Sequence, residues 1–164
     1  MDRSRAVPLV ILVASAALVG GALLFQYVGG LQPCELCLYQ RWPYYAMIVL
    51  SALALAAGRP GLSAWVTSIA ALAFLAGAGL AFYHVGVEQH WFAGPDACTG
   101  ASAAGGSIED FRKQLMAQQP VRCDEPQWAL FGVSLAGWNL LASLALVVFC
   151  LMALRVPALK RRTA

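Results

Sequence analysis

The stretch Pro33-Cys-Glu-Leu-Cys-Leu-Tyr-Gln-Arg-Trp-Pro43 sets Cys34 and Cys37 three positions apart and follows them with Arg41 where an apolar run begins. Thiolate is the reactive form of cysteine, and its pKa falls beside a helix N-terminus or a basic side chain. If a helix begins near Leu38, Cys37 stands at its start and shares a face with Arg41, and Pro43 falls in the first turn, where its missing N–H costs nothing. If the helix begins at Pro43, that alignment is only approximate, and Glu35 works against thiolate formation in either case. Such a pair can clip a zinc ion, staple the chain, or act as a redox centre facing the membrane.

The elements that must position this pair are apolar blocks. Sixty per cent of the 164 residues are hydrophobic and twelve per cent are charged; the mean hydropathy is +0.68, far from a soluble globular balance. A helix needs about 20 apolar residues to cross a bilayer core of roughly 30 Å. Four blocks are expected to do so, residues 7–28, 38–57, 62–83 and 132–154, although Gln40 and Arg41 in its first turn make the second marginal. The expectation is an all-α integral membrane protein, a single membrane domain over residues 1–164, built as a four-transmembrane-helix bundle. Arg3, Arg5 and the Ala14-Ser15-Ala16 triplet resemble the start of a signal peptide, but the apolar run continues to Val28, which favours an uncleaved helix.

Basic residues orient the bundle. Arg3, Arg5, Arg59, Arg155, Lys160, Arg161 and Arg162 share one side, opposite Arg112, Lys113 and Arg122. Both termini are therefore expected in the cytoplasm, with extracytoplasmic loops at about 29–37 and 84–131. The net charge of +3 reflects this topology and suggests no nucleic-acid surface. The longer loop has parts: Gly100 to Gly106 reads as a hinge, and Ser107, with Asp110 three residues on, opens a short amphipathic helix bearing Ile108, Phe111, Leu115 and Met116 on one face. That face would lie on the membrane surface, on a partner, or on the outer ends of the bundle. Of Trp42, Tyr44 and Tyr45, with Trp91 and Trp128, most read as interfacial anchors.

This topology puts Cys34, Cys37, Cys98 and Cys123 outside, where thiols meet an oxidising environment. A zinc site drawn from Cys34, Cys37 and His84 or His90 would need reduced thiols, and Cys98 and Cys123 lack the paired spacing of a zinc ribbon. As a staple, a bridge between Cys98 and Cys123 would close about 25 residues and contribute roughly 3–4 kcal/mol, but around a Gly/Ala-rich segment with no core to benefit. A bridge in exposed chain also exchanges readily. Arg41 either snorkels to the headgroups or stabilises negative charge on a thiolate or a reducible ring in the bilayer. Together these residues suggest an electron path from thiols outside to a lipid-soluble acceptor.

The residues also carry a resemblance. Cys34-Glu-Leu-Cys37-Leu-Tyr-Gln-Arg41 is similar to the C-x-L-C-x-x-x-R signature of the DsbB family of disulfide bond formation proteins. Tyr83-His84-x-Gly86-Val87-Glu88, then Gly94-Pro95 before Cys98, Cys123-Asp124 with Trp128, and Trp138-Asn139 follow in the family's order over essentially the whole chain. The resemblance implies a quinone-dependent protein-disulfide oxidoreductase of the bacterial inner membrane, multi-pass, with its cysteine loops in the periplasm. It implies redox-active disulfides Cys34–Cys37 and Cys98–Cys123, a periplasmic thioredoxin-fold (DsbA-like) partner that attacks at Cys98, exchange of Cys123 with Cys34, and ubiquinone or menaquinone engaged by Cys37. Arg41 and His84 fall at the positions expected to bind the quinone, a structural histidine at a helix end being the other reading of His84, and no metal is implied. DsbA sits at about −120 mV, so its reoxidation calls for an acceptor stronger than a thiol pool, and a quinone is one. Cys150 matches no relay position and reads as a packing residue. The alternative is a non-catalytic membrane scaffold that docks periplasmic proteins through its long loop.

Overall fold

The computed structural model describes residues 2–95 and 121–162. The expected hinge and amphipathic helix, and Cys98 itself, lie outside the described residues. The chain forms α1 (Arg3–Tyr27), α2 (Glu35–Tyr39), α3 (Trp42–Ala57), α4 (Pro60–Glu88), β1 (Ala129–Leu130), β2 (Val133–Ser134) and α5 (Leu135–Arg162).

The block expected as one helix over 38–57 is two. Proline inside a helix removes one backbone hydrogen bond and sets its ring against the carbonyl four residues earlier, here that of Tyr39. The chain therefore turns at Gln40 and Arg41, and Pro43 enters the first turn of α3, where it is tolerated. Gly58 ends α3 in the left-handed region (φ 61°), donating its N–H to the Ala54 carbonyl, and Pro60 starts α4. The fourth block begins as a hairpin. Ala129 pairs with Ser134 and Leu130 with Val133, around Phe131 and Gly132, both at positive φ. Ser134 then caps α5, its hydroxyl oxygen accepting the Gly137 N–H at 3.1 Å. α4 runs to Glu88, a turn past the expected end.

α4 packs along α5, and α1 against α3. Where they meet, Ile11, Val19, Tyr44, Met47, Ala70, Phe74, Leu146 and Cys150 form the core. Small residues on the buried side of α4 (Ala70, Ala71, Gly77, Ala78 and Ala81) let its neighbours come close, as membrane helices require. Cys150 is wholly buried there, consistent with packing.

The outward faces are apolar too. Val13, Leu24, Leu53, Trp65, Leu72, Leu75, Leu141 and Val148 are all more than 40% exposed, a belt that only lipid can cover. α1, α4 and the 135–155 part of α5 are long and apolar enough to cross a membrane. α3, with 16 residues, rises about 24 Å, short of the full hydrocarbon thickness. The molecule is a helical membrane protein. At one end lie the start of α1 and the α3–α4 turn: Arg3 reaches the Ala153 carbonyl at 3.5 Å, and Arg5 lies beside Gly58. At the opposite end lie Cys34, Cys37 and Cys123.

Candidate functional site

Cys34 is the N-cap of α2, its sulfur accepting the Cys37 N–H at 3.3 Å, while Leu36 anchors the turn in a small core with Val87 and Cys123. Cys34 and Cys37 are unbonded, with their sulfurs 2.7 Å apart. Shared hydrogen bonding makes the two thiols unequal. Donation from Cys34 holds the Cys37 thiol below its usual range, Arg41 helping to a smaller extent. The same bond, followed by burial, pushes Cys34 well above it. In the dithiol form the negative charge therefore settles on Cys37.

The second cysteine centre comes to the first. Cys123 is buried and disulfide-bonded, and its sulfur, the Cys34 sulfur and a ring nitrogen of His84 lie within 4.8 Å of one another. The expected pairing of Cys123 with Cys98 lies outside the described residues. Three such groups have metal-ligand spacing, but a metal needs thiolates, and Cys123 has no thiolate to give while it is in a disulfide. The returning segment is tied down beside the CxxC loop: Gln127 Nε2 donates to the Gln32 carbonyl at 2.7 Å, and Trp128 meets Phe25 with ring centroids 4.9 Å apart. Arg122 grips Asp124 at 2.6 Å, holding that carboxyl below its usual range.

His84 stands between the two centres. Its Nε2 lies 3.6 Å from Cys34 Sγ and 3.9 Å from Glu88 Oε1, and its Nδ1 is 2.7 Å from Gln40 Nε2. Gln40 meets Asn139 at 2.7 Å, and Asn139 meets the Tyr44 hydroxyl at 2.6 Å, which also contacts Ser143 at 2.7 Å. Glu88 accepts a hydrogen bond from Ser134. Tyr44, expected as an interfacial anchor, is instead buried within this network. Sequence reasoning assigned no role to Gln40, Glu88, Asn139 or Gln26. The signal was there, since polar side chains in apolar helices are costly unless they serve a site.

Beside the cysteines opens a cavity of about 480 Å³, walled by Leu18, Ala22, Phe25, Trp128, Leu135 and Trp138 and edged by Cys37, Gln40, Arg41 and His84. Its size and its few polar groups suit a small, largely apolar ligand. Arg41 Nη1 donates to Gln26 Oε1 at 2.7 Å, and both side chains line the cavity. The structure thus brings together Cys34, Cys37, Arg41, His84 and Cys123 of the residues expected from sequence.

The sequence model of the family described as "Disulfide bond formation protein DsbB" matches residues 4–153. The chain is 32% identical to a disulfide bond formation protein B of Verminephrobacter eiseniae, over 99% of this chain and 94% of that one. It is 31% identical to a protein of the same name from Aromatoleum aromaticum, over 91% of each. It is also 31% identical to disulfide bond formation protein B 1 of Pseudomonas fluorescens (strain Pf0-1), over 99% and 92%. No solved structure matches the chain.

Proposed function

The chain belongs to the DsbB family of disulfide bond formation proteins, whose chemistry is thiol oxidation, and from that premise we propose that it reoxidises a periplasmic DsbA-like dithiol oxidase and passes the electrons to membrane quinone. The observation that carries this reading is the meeting of disulfide-bonded Cys123 with Cys34 at the edge of an apolar cavity that also exposes Cys37 and Arg41.

Thiol–disulfide exchange proceeds by thiolate attack on a disulfide sulfur. A partner thiolate attacks the Cys98–Cys123 disulfide at Cys98; a mixed disulfide forms and Cys123 leaves as thiolate. Cys123 then attacks Cys34 of an oxidised Cys34–Cys37 pair, the Cys34–Cys37 bond breaks, and Cys37 leaves as thiolate. The partner's second thiolate attacks its own mixed-disulfide sulfur, so that the partner departs oxidised and Cys98 is released as thiolate. Cys98 attacks Cys123 and restores its own disulfide, returning Cys34 as a thiol. Two electrons and two protons have then moved from the partner to the Cys34–Cys37 pair. Proximity of Cys123 to Cys34 makes the middle exchange intramolecular, where orientation alone accelerates reaction strongly.

The cavity fits a quinone head: its walls are apolar, and Arg41 with the His84 and Gln40 side chains supplies polar contacts at one edge. When bound there, a quinone accepts two electrons and two protons. Cys37, with charge drawn to it by Cys34 and Arg41, is the sulfur placed to deliver them. Arg41 stabilises that negative charge, and the apolar walls keep water from it.

In the membrane, residues 38–57 make a fourth crossing built mainly on α3, the arginine-bearing end faces the cytoplasm, and the end with Cys34, Cys37 and Cys123 faces the periplasm. The test is quinone reduction by detergent-solubilised protein given a reduced periplasmic dithiol protein, beside a Cys98→Ser variant. Turnover in the parent and none in the variant is expected. Absence of turnover with every quinone and dithiol partner overturns the reading and leaves a scaffold.

A further inference from the structure

The amides of Gln40 and Asn139 link His84 to Tyr44 in a row that has a direction. A carboxamide oxygen only accepts and its nitrogen only donates, so each amide in a row constrains the next. With the Tyr44 hydroxyl donating to Asn139 Oδ1, Asn139 Nδ2 donates to Gln40 Oε1 and Gln40 Nε2 to His84 Nδ1. A ring nitrogen that accepts carries no proton, so the neutral imidazole bears its proton on Nε2. The opposite polarity would flip both amides and turn the Tyr44 hydroxyl towards Ser143. What faces Nε2 decides between them. Glu88 Oε1 lies 3.9 Å and Cys34 Sγ 3.6 Å from it. A carboxylate oxygen there calls for an N–H on that nitrogen. Gln40, Tyr44, His84 and Ser143 are buried and Asn139 is half-buried, so bulk water has little access to the row.

We infer that Gln40, Asn139 and Tyr44 are positioning residues that fix the His84 tautomer, presenting Nε2–H to the sulfurs of Cys34 and Cys123 during exchange between the two cysteine pairs. This rests on the exchange between Cys123 and Cys34 set out above. In that step the Cys34–Cys37 bond breaks as the Cys123–Cys34 bond forms, and one negative charge passes from Cys123 to Cys37 with no net proton transfer. An N–H donor 3.6 Å from the central sulfur stabilises the charge as it spreads over the three sulfurs. The other tautomer would offer the same sulfurs a lone pair, which repels that charge.

The chain has two histidines, so a His90→Asn variant leaves His84 as the one labelled ring in nitrogen NMR of the ¹⁵N-histidine protein. Asparagine is chosen because residue 90 has φ 59°, a conformation it tolerates. On this background the proton is expected on Nε2. Gln40→Glu, whose carboxylate can only accept, is expected to move a proton onto Nδ1, and Gln40→Leu to remove the preference. Single-turnover exchange between the two cysteine pairs is expected to slow about tenfold in Gln40→Leu, the scale of a lost hydrogen bond to a charged group. A proton on Nδ1 in the parent, or a tautomer indifferent to Gln40→Glu and Gln40→Leu, overturns the inference. The spectrum is independent of turnover, so a wrong tautomer in an active oxidase sinks this inference alone, and an inactive protein with the expected tautomer sinks the oxidase reading instead.

Discussion

Arg41 Nη1 donates to Gln26 Oε1 at 2.7 Å, tying the turn after the CxxC pair to the far end of α1. Gln26, Cys37 and Arg41 all line the same cavity. Arg41→Ala removes that charge but touches none of the cysteines. Quinone turnover is expected to fall about tenfold, the scale of a hydrogen bond to a charged group, while the cysteine pairs still exchange with a reduced partner. Steady-state rates across a quinone titration check this; rates unchanged at every concentration would remove Arg41 from the site.

The unequal thiols predict an order of alkylation in the reduced protein. Hydrogen bonding from Cys34 lowers the Cys37 pKa, so Cys37 becomes thiolate at a pH below that of an ordinary thiol. Cys34 is raised by that same bond and by burial, and stays protonated above the ordinary range. As pH rises, iodoacetamide should therefore label Cys37 first, with mass spectrometry locating the adduct. Labelling of Cys34 before Cys37 would reverse the assignment of the charge-bearing sulfur.

Cys34→Ser removes the sulfur that Cys123 approaches and should abolish dithiol oxidation while leaving the Cys123 disulfide intact. Thiol counting under denaturing conditions, run beside the oxidation assay, reports both. Oxidation that persists in this variant would mean that electrons bypass the CxxC pair.

Ser134 serves two elements: its oxygen caps α5 through the Gly137 N–H, and its hydroxyl hydrogen goes to Glu88. Ser134→Ala loses both and leaves a buried carboxylate with one fewer donor. A loss of about 1–2 kcal/mol is expected, read as a lower thermal unfolding midpoint in detergent. Ser134→Thr, which keeps the hydroxyl, should recover most of it.

Gly86 lets the chain after α4 fold back, where the Trp91 N–H reaches the Gly86 carbonyl at 2.7 Å. A Cβ at residue 86 would clash with the Phe92 ring, which stacks on Tyr83 at a centroid distance of 5.9 Å. Gly86→Ala should therefore destabilise by about 1–2 kcal/mol as the ring is displaced. Adding Phe92→Leu should return the midpoint towards that of Phe92→Leu alone; a strictly additive double variant would show that the two positions do not meet.

Composition and spacing alone determined that this chain is helical and apolar, that a CxxC pair precedes an arginine, and that the ordered motifs resemble one family. These are local properties: hydropathy acts residue by residue on the transfer to lipid, and a motif is read along the chain. The break between α2 and α3 was half legible, because Pro43 allowed either a helix from Leu38 or one from Pro43, and only the packing of Leu36 and the turn at Gln40–Arg41 decided. The hairpin at 129–134 was hidden in a run that reads as continuous helix, since hydropathy does not distinguish a short strand from a helical turn. The family resemblance implied that Cys123 exchanges with Cys34, but tertiary structure alone decided that His84 meets both sulfurs, and that Tyr44 turns inward to Asn139 and not out to the interface. Those contacts join residues far apart in sequence, and they form because buried amides, hydroxyls and sulfurs inside an apolar bundle must satisfy one another where no water reaches.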